Sequence, residues 1–406
     1  MYSVAERAAR ASTLGRTLLT YAAFLPLLFC LAGCGSGGIL SGGGWQAGGL
    51  QNQQLRVLAV NGKNLQNLYV GNAQGHIFVS ANAGQSWSER SVGLPLPDPI
   101  SALSFDASNQ KLYAATDKGL FTTTAGAARW SALSAPGLPT ASFTALAFDT
   151  GSVIYAGTAS QGVYRSENNA SSWTAVGKGL PAGAAVNELS SDPVQHQLWA
   201  VTTMGAYRSD DRGASWQLFN RGLPTGITIN TIIAASTVGG TTGLLYMGTN
   251  HGIYFSQDSG AHWSAPQEAL PGTSIHAILL DFRSTNVLAL DIATDVGVFR
   301  SADNGQSWSS VASDLPKSAQ IYALALGADN YAQLYAAGTG IYLFPGSGGG
   351  GIAPTRILPL ILVVAFFFLL YWLSQRGRSR KRATVKSASS QETTISRIDA
   401  PPTANP

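Results

Sequence analysis

Cysteine is almost missing from this 406-residue chain; the two present, Cys30 and Cys34, both fall near its start. No pair is left for the body of the protein, so a disulfide framework is excluded and stability has to come from packed apolar residues. Cationic excess is missing too. The formal net charge is +4, yet residues 45–346 carry 14 Lys and Arg against 18 Asp and Glu, a net of −4. Phosphate neutralisation needs clustered cations, so this mildly acidic body argues against general nucleic-acid binding.

Tryptophan, by contrast, is present in regular supply. Six recur at Trp87, Trp130, Trp173, Trp216, Trp263 and Trp308, at intervals of 43, 43, 43, 47 and 45 residues. A period of that size marks a repeat architecture. Five of the six close an octet that opens on Ser80, Ser166, Ser209, Ser256 or Ser301. Its third place holds Asn82, Asn168, Asp211, Asp258 or Asp303, and its fifth Gly84, Ala170, Gly213, Gly260 or Gly305. The sixth octet, Thr123 to Trp130, is degenerate, with Ala125 in the acidic place. These octets resemble the Asp-box (BNR) repeat of β-propellers, S-x-D-x-G-x-x-W, over nearly all of residues 45–346. Ser and Asp or Asn side chains bond backbone groups to shape a turn, Gly takes a left-handed conformation, and Trp buries its ring beside it. The box is therefore expected to be a part of the fold rather than a ligand site.

Each repeat has the same order. A run such as Ile100 to Asp106 is followed by Lys111 to Thr116, Gly119 to Thr122, the box, and a short run starting at the Trp. These are β-type runs rich in aromatic and branched residues, bounded by Gly, Asp or Pro. Four strands per repeat make a propeller blade. A Leu-Pro turn closes each one, as at Gly93-Leu-Pro95 and Gly222-Leu-Pro224. After Trp308 three more strands follow, Ile321 to Leu326, Gln333 to Ala337 and Gly340 to Phe344, and then Gly-rich sequence with no box and no Trp. At the other end, Trp45 to Leu50 looks like an orphan fourth strand, its Trp lying 42 residues before Trp87. The expectation is an all-β, seven-bladed propeller closed by its N-terminal strand, which leaves no long sheet edge exposed.

The flanks read as export and anchoring signals. Arg7, Arg10 and Arg16 precede the apolar run Leu18 to Leu31, as in a signal peptide. It ends in Leu31-Ala-Gly-Cys34, which resembles the lipobox of bacterial lipoproteins and implies lipidation of Cys34. Ile357 to Leu373 is an apolar run of the shortest length expected to span a membrane, and Arg376, Arg378, Arg380, Lys381 and Arg382 follow it as a positive-inside stop. The expected organisation is a signal peptide at 1–33, a Gly-rich linker at 34–44, the propeller at 45–346, a linker at 347–356, a transmembrane helix at 357–373 and a basic, then disordered cytoplasmic tail at 374–406. Both tethers would leave the bottom of one blade, so the opposite, top face would point away from a bacterial cell membrane into the extracytoplasmic space.

Aligning the first strands puts one polar residue at the same place in all seven: Arg56, Ser101, Thr144, Asn187, Asn230, His276 and Tyr322. They are expected near the top mouth of the central channel, the usual concave site of such a ring. Top-face turns add His76, Asp117, Gln161, His251 and Asp295. A glycosidase needs two carboxylates facing each other across a cleft; Asp117, Glu188 and Asp295 are the acids to try, though they are scattered. Sialidases, whose boxes are similar, converge three arginines on a carboxylate, whereas only Arg56 sits at a ring position and no Phe-Arg-Ile-Pro motif is present. Xyloglucanase-type hydrolases build a cleft between two propellers, and here there is one. His251 and His276, from adjacent blades, lack a third metal ligand. No cofactor and no metal are expected. The fold also looks like photosystem assembly-factor propellers and sortilin-type ligand-binding domains. The expected function is a non-catalytic platform for a protein or peptide, with carbohydrate binding or processing, and assembly of a photosynthetic or other membrane complex, as alternatives.

Overall fold

The computed structural model describes residues 44–345, apart from 107, 109, 193–194, 196, 236–242, 267–269, 271–272, 282–288, 312–313 and 328–332. The lipobox cysteine Cys34, the signal run and the apolar segment 357–373 lie outside the described residues. Within them there are strands and turns but no helix.

Seven antiparallel sheets follow one another, each in simple up-and-down order. Blade 1 is Leu55–Val60, Leu68–Asn72, Ile77–Ser80 and Ser88–Glu89; blade 4, to take a second, is Val186–Asp192, Gln197–Thr202, Gly205–Ser209 and Gln217–Leu218. The first strands of neighbouring blades touch all the way round, and Leu55–Val60 touches Ile321–Gly327, so the inner ring closes. Blade 7 contains Ile321–Gly327, Gln333–Gly338 and Ile341–Pro345, and takes its fourth strand, Gln46–Ala47, from the start of the body. The pairs are Gln46 with Leu343 and Ala47 with Tyr342. The orphan strand is thus where the tryptophan period places it, and both ends of the propeller leave from blade 7.

One expectation needs correcting. Blade 5 has no fourth strand among the described residues: after Ile229–Ala234, Leu245–Thr249 and Gly252–Ser256, the only further pairing is a single bridge between Phe255 and Ser264. Pro266, two residues past the bridge, has no amide hydrogen to continue a ladder.

The octets build turns of one design. In blade 4 the Ser209 hydroxyl donates to Asp211 Oδ1 at 2.7 Å and accepts the Gly213 amide at 2.7 Å, while Asp211 Oδ1 accepts the Ser215 amide at 2.8 Å. Blades 1, 3, 5 and 6 repeat this with Asn82, Asn168, Asp258 and Asp303. Two successive residues, not one, are left-handed: Arg212 and Gly213, Ser259 and Gly260, Asn304 and Gly305, and even Asn169 and Ala170. In the degenerate box of blade 2, Gly126 in the fourth place is left-handed, and its amide donates to Tyr69 Oη of blade 1.

The tryptophans rivet blade to blade. Trp130, Trp216 and Trp263 donate their indole N–H to Arg90, Val176 and Phe219, carbonyls on the fourth strand or its extension in the preceding blade. The glycine that four of the six Leu-Pro turns carry is required by the same joint: a Cβ on Gly93, Gly137, Gly179 or Gly222 would collide with the carbonyl of the next blade's box tryptophan. A second aromatic series runs along the second strands, Tyr69, Tyr113, Tyr155, Trp199, Tyr246 and Tyr335, all buried. Three of them reach the next blade's box turn, through Gly126, Asn304 and Ala83. Burying such rings is the main favourable term available to a chain without cross-links.

Candidate functional site at the channel mouth

A buried anchor stands at the start of each first strand, Leu55, Phe143, Val186, Ile229, Ile275 or Ile321, and in blade 2 just before it, Ile100. In six blades the register then slips by one residue, and the residue left out of the ladder is Arg56, Thr144, Asn187, Asn230, His276 or Tyr322. In blade 2 the equivalent Ser101 lies just before the strand and donates its amide to Ala115 O at 2.9 Å. A bulge frees one residue from pairing and re-aims its side chain. The ring of polar residues read from aligned strand starts is therefore a ring of bulges beside the turns between second and third strands, as the amide bonds Ala73 to Gln54, Thr203 to Ala185 and Asp295 to Ser274 show.

The seven positions do different things. Thr144 Oγ1 donates to Val186 O at 2.5 Å, and Asn230 Nδ2 donates to Ile275 O at 2.9 Å; each latches its blade to the next. Ser101 and Asn187 are exposed. The other three form one arc across blades 6, 7 and 1. His276 Nε2 lies 2.7 Å from Asp295 Oδ1, and Asp295 Oδ2 accepts the Ser274 amide at 3.1 Å. The His276 ring meets Tyr322 edge to face at 5.2 Å, and the Arg56 guanidinium lies over the Tyr322 ring at 4.4 Å. Tyr322 Oη donates to Gln320 Oε1 at 2.8 Å.

The three acids come from blades 2, 4 and 6, and each has a partner of its own. Asp117 accepts the Ser142 hydroxyl at 2.7 Å and Asp295 holds His276. Glu188 accepts the Thr231 hydroxyl at 3.2 Å and the Ile232 amide at 3.0 Å, bridging the first strands of blades 4 and 5. Burial pushes the Glu188 carboxyl up to about 8, against the lowering pull of the two hydrogen bonds. Of the remaining top-face residues, His76 pairs with Glu89 at 2.7 Å and Gln161 Nε2 donates to Thr140 O at 3.4 Å. Among the described residues no three His, Cys, Asp or Glu side chains are grouped as metal ligands would be, and His276 is engaged by Asp295 rather than by His251.

The boxes show their chemistry in charge as well. His262 and further hydrogen bonds hold the Asp258 carboxyl down at about 2, and Asp211 and Asp303 are also lowered. These carboxylates are bonded within their own turns.

Sequence reading missed the Arg300 cluster. Arg300 Nε and Nη2 donate to the two oxygens of Asp291 at 2.8 Å, and Nη2 reaches Asp281 at 3.0 Å, all within blade 6. A carboxylate in the middle of an otherwise apolar second strand, Ala289–Thr294, was the available signal.

Residues 151–290, from blade 3 into blade 6, match the family described as the DUF6242 beta propeller domain. No curated protein matches the sequence. Solved structures share the fold. YCF48 bound to D1 peptide is 18% identical, with a TM-score of 0.59, covering 76% of this chain and 98% of that one. The extracellular domain of a putative one component system from B. thetaiotaomicron is 16% identical, with a TM-score of 0.58, covering 73% of this chain and 38% of that one. The GH74 xyloglucanase from Xanthomonas campestris is 16% identical, with a TM-score of 0.58, covering 77% of this chain and 55% of that one. At such identities the likeness is one of fold. The chain is a seven-bladed β-propeller, similar in architecture to both a peptide-bound propeller and the propellers of a glycoside hydrolase.

Proposed function

We propose that this propeller is a non-catalytic platform that binds a protein or peptide at its top face, held at the extracytoplasmic side of a bacterial membrane by the apolar segment 357–373 and by lipid on Cys34. One observation carries the binding reading: the bulges turn a set of hydrogen-bonding side chains out of the ladder, and in the Arg56–Tyr322–His276 arc the blades meet through ring and cation–π contacts rather than through hydrogen bonds to a neighbouring blade's backbone. The disposition of the acids disfavours hydrolysis. Asp117, Glu188 and Asp295 are each engaged on a different blade, whereas glycoside hydrolysis needs an acid and a base or nucleophile facing one bond. That YCF48 is seen with a peptide makes a peptide ligand a chemically natural expectation for the same architecture. The tethering is read from the flanking sequence, and it is supported by both ends of the propeller leaving from blade 7.

The test is retention of envelope proteins and of polysaccharides on the immobilised full-length chain, with sugar release measured alongside. Retention of a protein without sugar release, weakened in the Tyr322→Leu variant, is the expected result. Sugar release that disappears in Asp117→Asn, Glu188→Gln or Asp295→Asn would overturn it and establish a hydrolase. Surface labelling that found the top loops covered by lipid would overturn the orientation.

A further inference from the structure

We propose that Arg56 is the recognition point for a single carboxylate on a bound peptide, with apolar subsites on either side at Val296 and Leu96; this rests on the peptide-binding reading above. Stacking engages only the flat face of the guanidinium, over Tyr322 at 4.4 Å. Its N–H donors lie in the plane of the group and stay free for a fork-shaped acceptor. Arg56 is exposed and makes no hydrogen bond or ion pair to any described residue. Arg165 and Arg208, by contrast, are engaged by carbonyls and acids of the boxes, and Arg300 by two aspartates.

The platform under Arg56 is held at several points. Tyr322 is held by Gln320 through its hydroxyl and by the edge of His276, and His276 is held by Asp295, which in turn accepts the Ser274 amide. A cation fixed in this way loses little freedom on binding, which is what makes one ion pair count. The charge count selects the ligand. Arg56 is the one arginine of the arc, and a single guanidinium matches a singly charged carboxylate and not a phosphate, whose higher charge needs several cations.

Apolar side chains flank the arc on the same face. Val296, 66% exposed, follows Asp295 in the blade 6 turn; Leu96, 45% exposed, lies against the blade 1 turn at Gly75. Large side chains left in water beside a polar centre mark an interaction surface. The matching occupant is an extended peptide with an acid between two apolar residues. The carboxylate can come from an acidic side chain or from a chain terminus.

Three labelled peptides test this against the full-length chain by fluorescence anisotropy: Leu-Gly-Glu-Gly-Leu as the amide, the same amide with Gln for Glu, and the Gln peptide with a free C-terminus. The Glu amide is expected to bind about tenfold more tightly than the Gln amide, and the preference to vanish in Arg56→Gln. Recovery of affinity by the free terminus identifies the chain end as the source. Arg56→Lys keeps the charge but loses the fork, and is expected to retain only part of the preference. Unchanged melting of Arg56→Gln shows that the loss is not one of folding. If the wild type binds all three peptides equally, the carboxylate subsite is wrong while the peptide reading stands. If the Glu preference survives in Arg56→Gln, the carboxylate sits elsewhere and the proposal falls. If no peptide binds, both readings fail for this face.

Discussion

The indole N–H of Trp45 donates to the carbonyl of Val311 at 2.5 Å, joining residues 266 positions apart. Trp45 is buried, lies 5.2 Å from Phe344, and carries into blade 7 the strand that closes the ring. Gln46 and Ala47 pair as strand, bonds at Gly48, Gly49 and Asn52 extend the contact with blade 7, and Trp45 is the large apolar side chain that this closure buries. Trp45→Ala is expected to cost about 3–5 kcal/mol, read as a lower denaturant midpoint. A loss below about 1 kcal/mol would mean that the closure is held by other contacts.

Gly260 and Gly126 isolate what packing adds to backbone conformation in a box. Their φ angles are +84° and +83°, so an alanine bears a similar left-handed strain at either site, about 1–2 kcal/mol. A Cβ on Gly260 runs into the Trp199 ring, while one on Gly126 meets nothing within 4 Å. Gly260→Ala should therefore destabilise by at least about 1 kcal/mol more than Gly126→Ala. Equal losses in parallel urea melts would show that the box turn yields without disturbing blade 4.

Glu188 makes stability depend on pH in a defined direction. Its carboxyl is raised from 4.5 to about 8, so the folded chain holds a proton that the unfolded chain has lost. The contribution is fully present below about pH 4.5 and falls as pH rises through about 8. The melting temperature is expected to decline across that window, and Glu188→Gln, which keeps an acceptor for the Ile232 amide, should flatten the decline. A Gln variant with the wild-type slope would assign the effect to other groups.

Arg300 pairs with two buried aspartates in blade 6, Asp291 by a two-pronged contact and Asp281 by one bond. Removing the guanidinium takes a bidentate contact from Asp291 and a bond from Asp281, and breaking a buried ion pair costs about 3–5 kcal/mol. Arg300→Met should lose that much, and Arg300→Lys should recover little because an ammonium cannot span both oxygens of Asp291. Full stability in the Lys variant would reduce the cluster to a matter of charge alone.

The repeat was legible because its chemistry is local. An octet that bonds its own turn, a tryptophan 42 to 47 residues from the next, and a Gly-Leu-Pro turn can all be recognised without knowing where the chain goes. The orphan strand at Trp45 followed from the same period. The aligned polar residues from Arg56 to Tyr322 were legible as positions, but nothing local says that they are bulges, since a register slip is set by the pairing of two strands.

Partnerships between blades were not legible. Arg56 lies over Tyr322 only because the last blade returns to the first, and Thr144 and Asn230 were indistinguishable from their ring neighbours until the next blade supplied a carbonyl. Glu188 reads as a solvated acid, yet blade 5 encloses it and raises its carboxyl. Sequence alone therefore determined the repeat, the number of blades and the strand that closes them, because each is written in turns and periods of neighbouring residues. Only the tertiary structure decided which polar groups are consumed in holding the ring and which remain free at its mouth, because that depends on what packs opposite them.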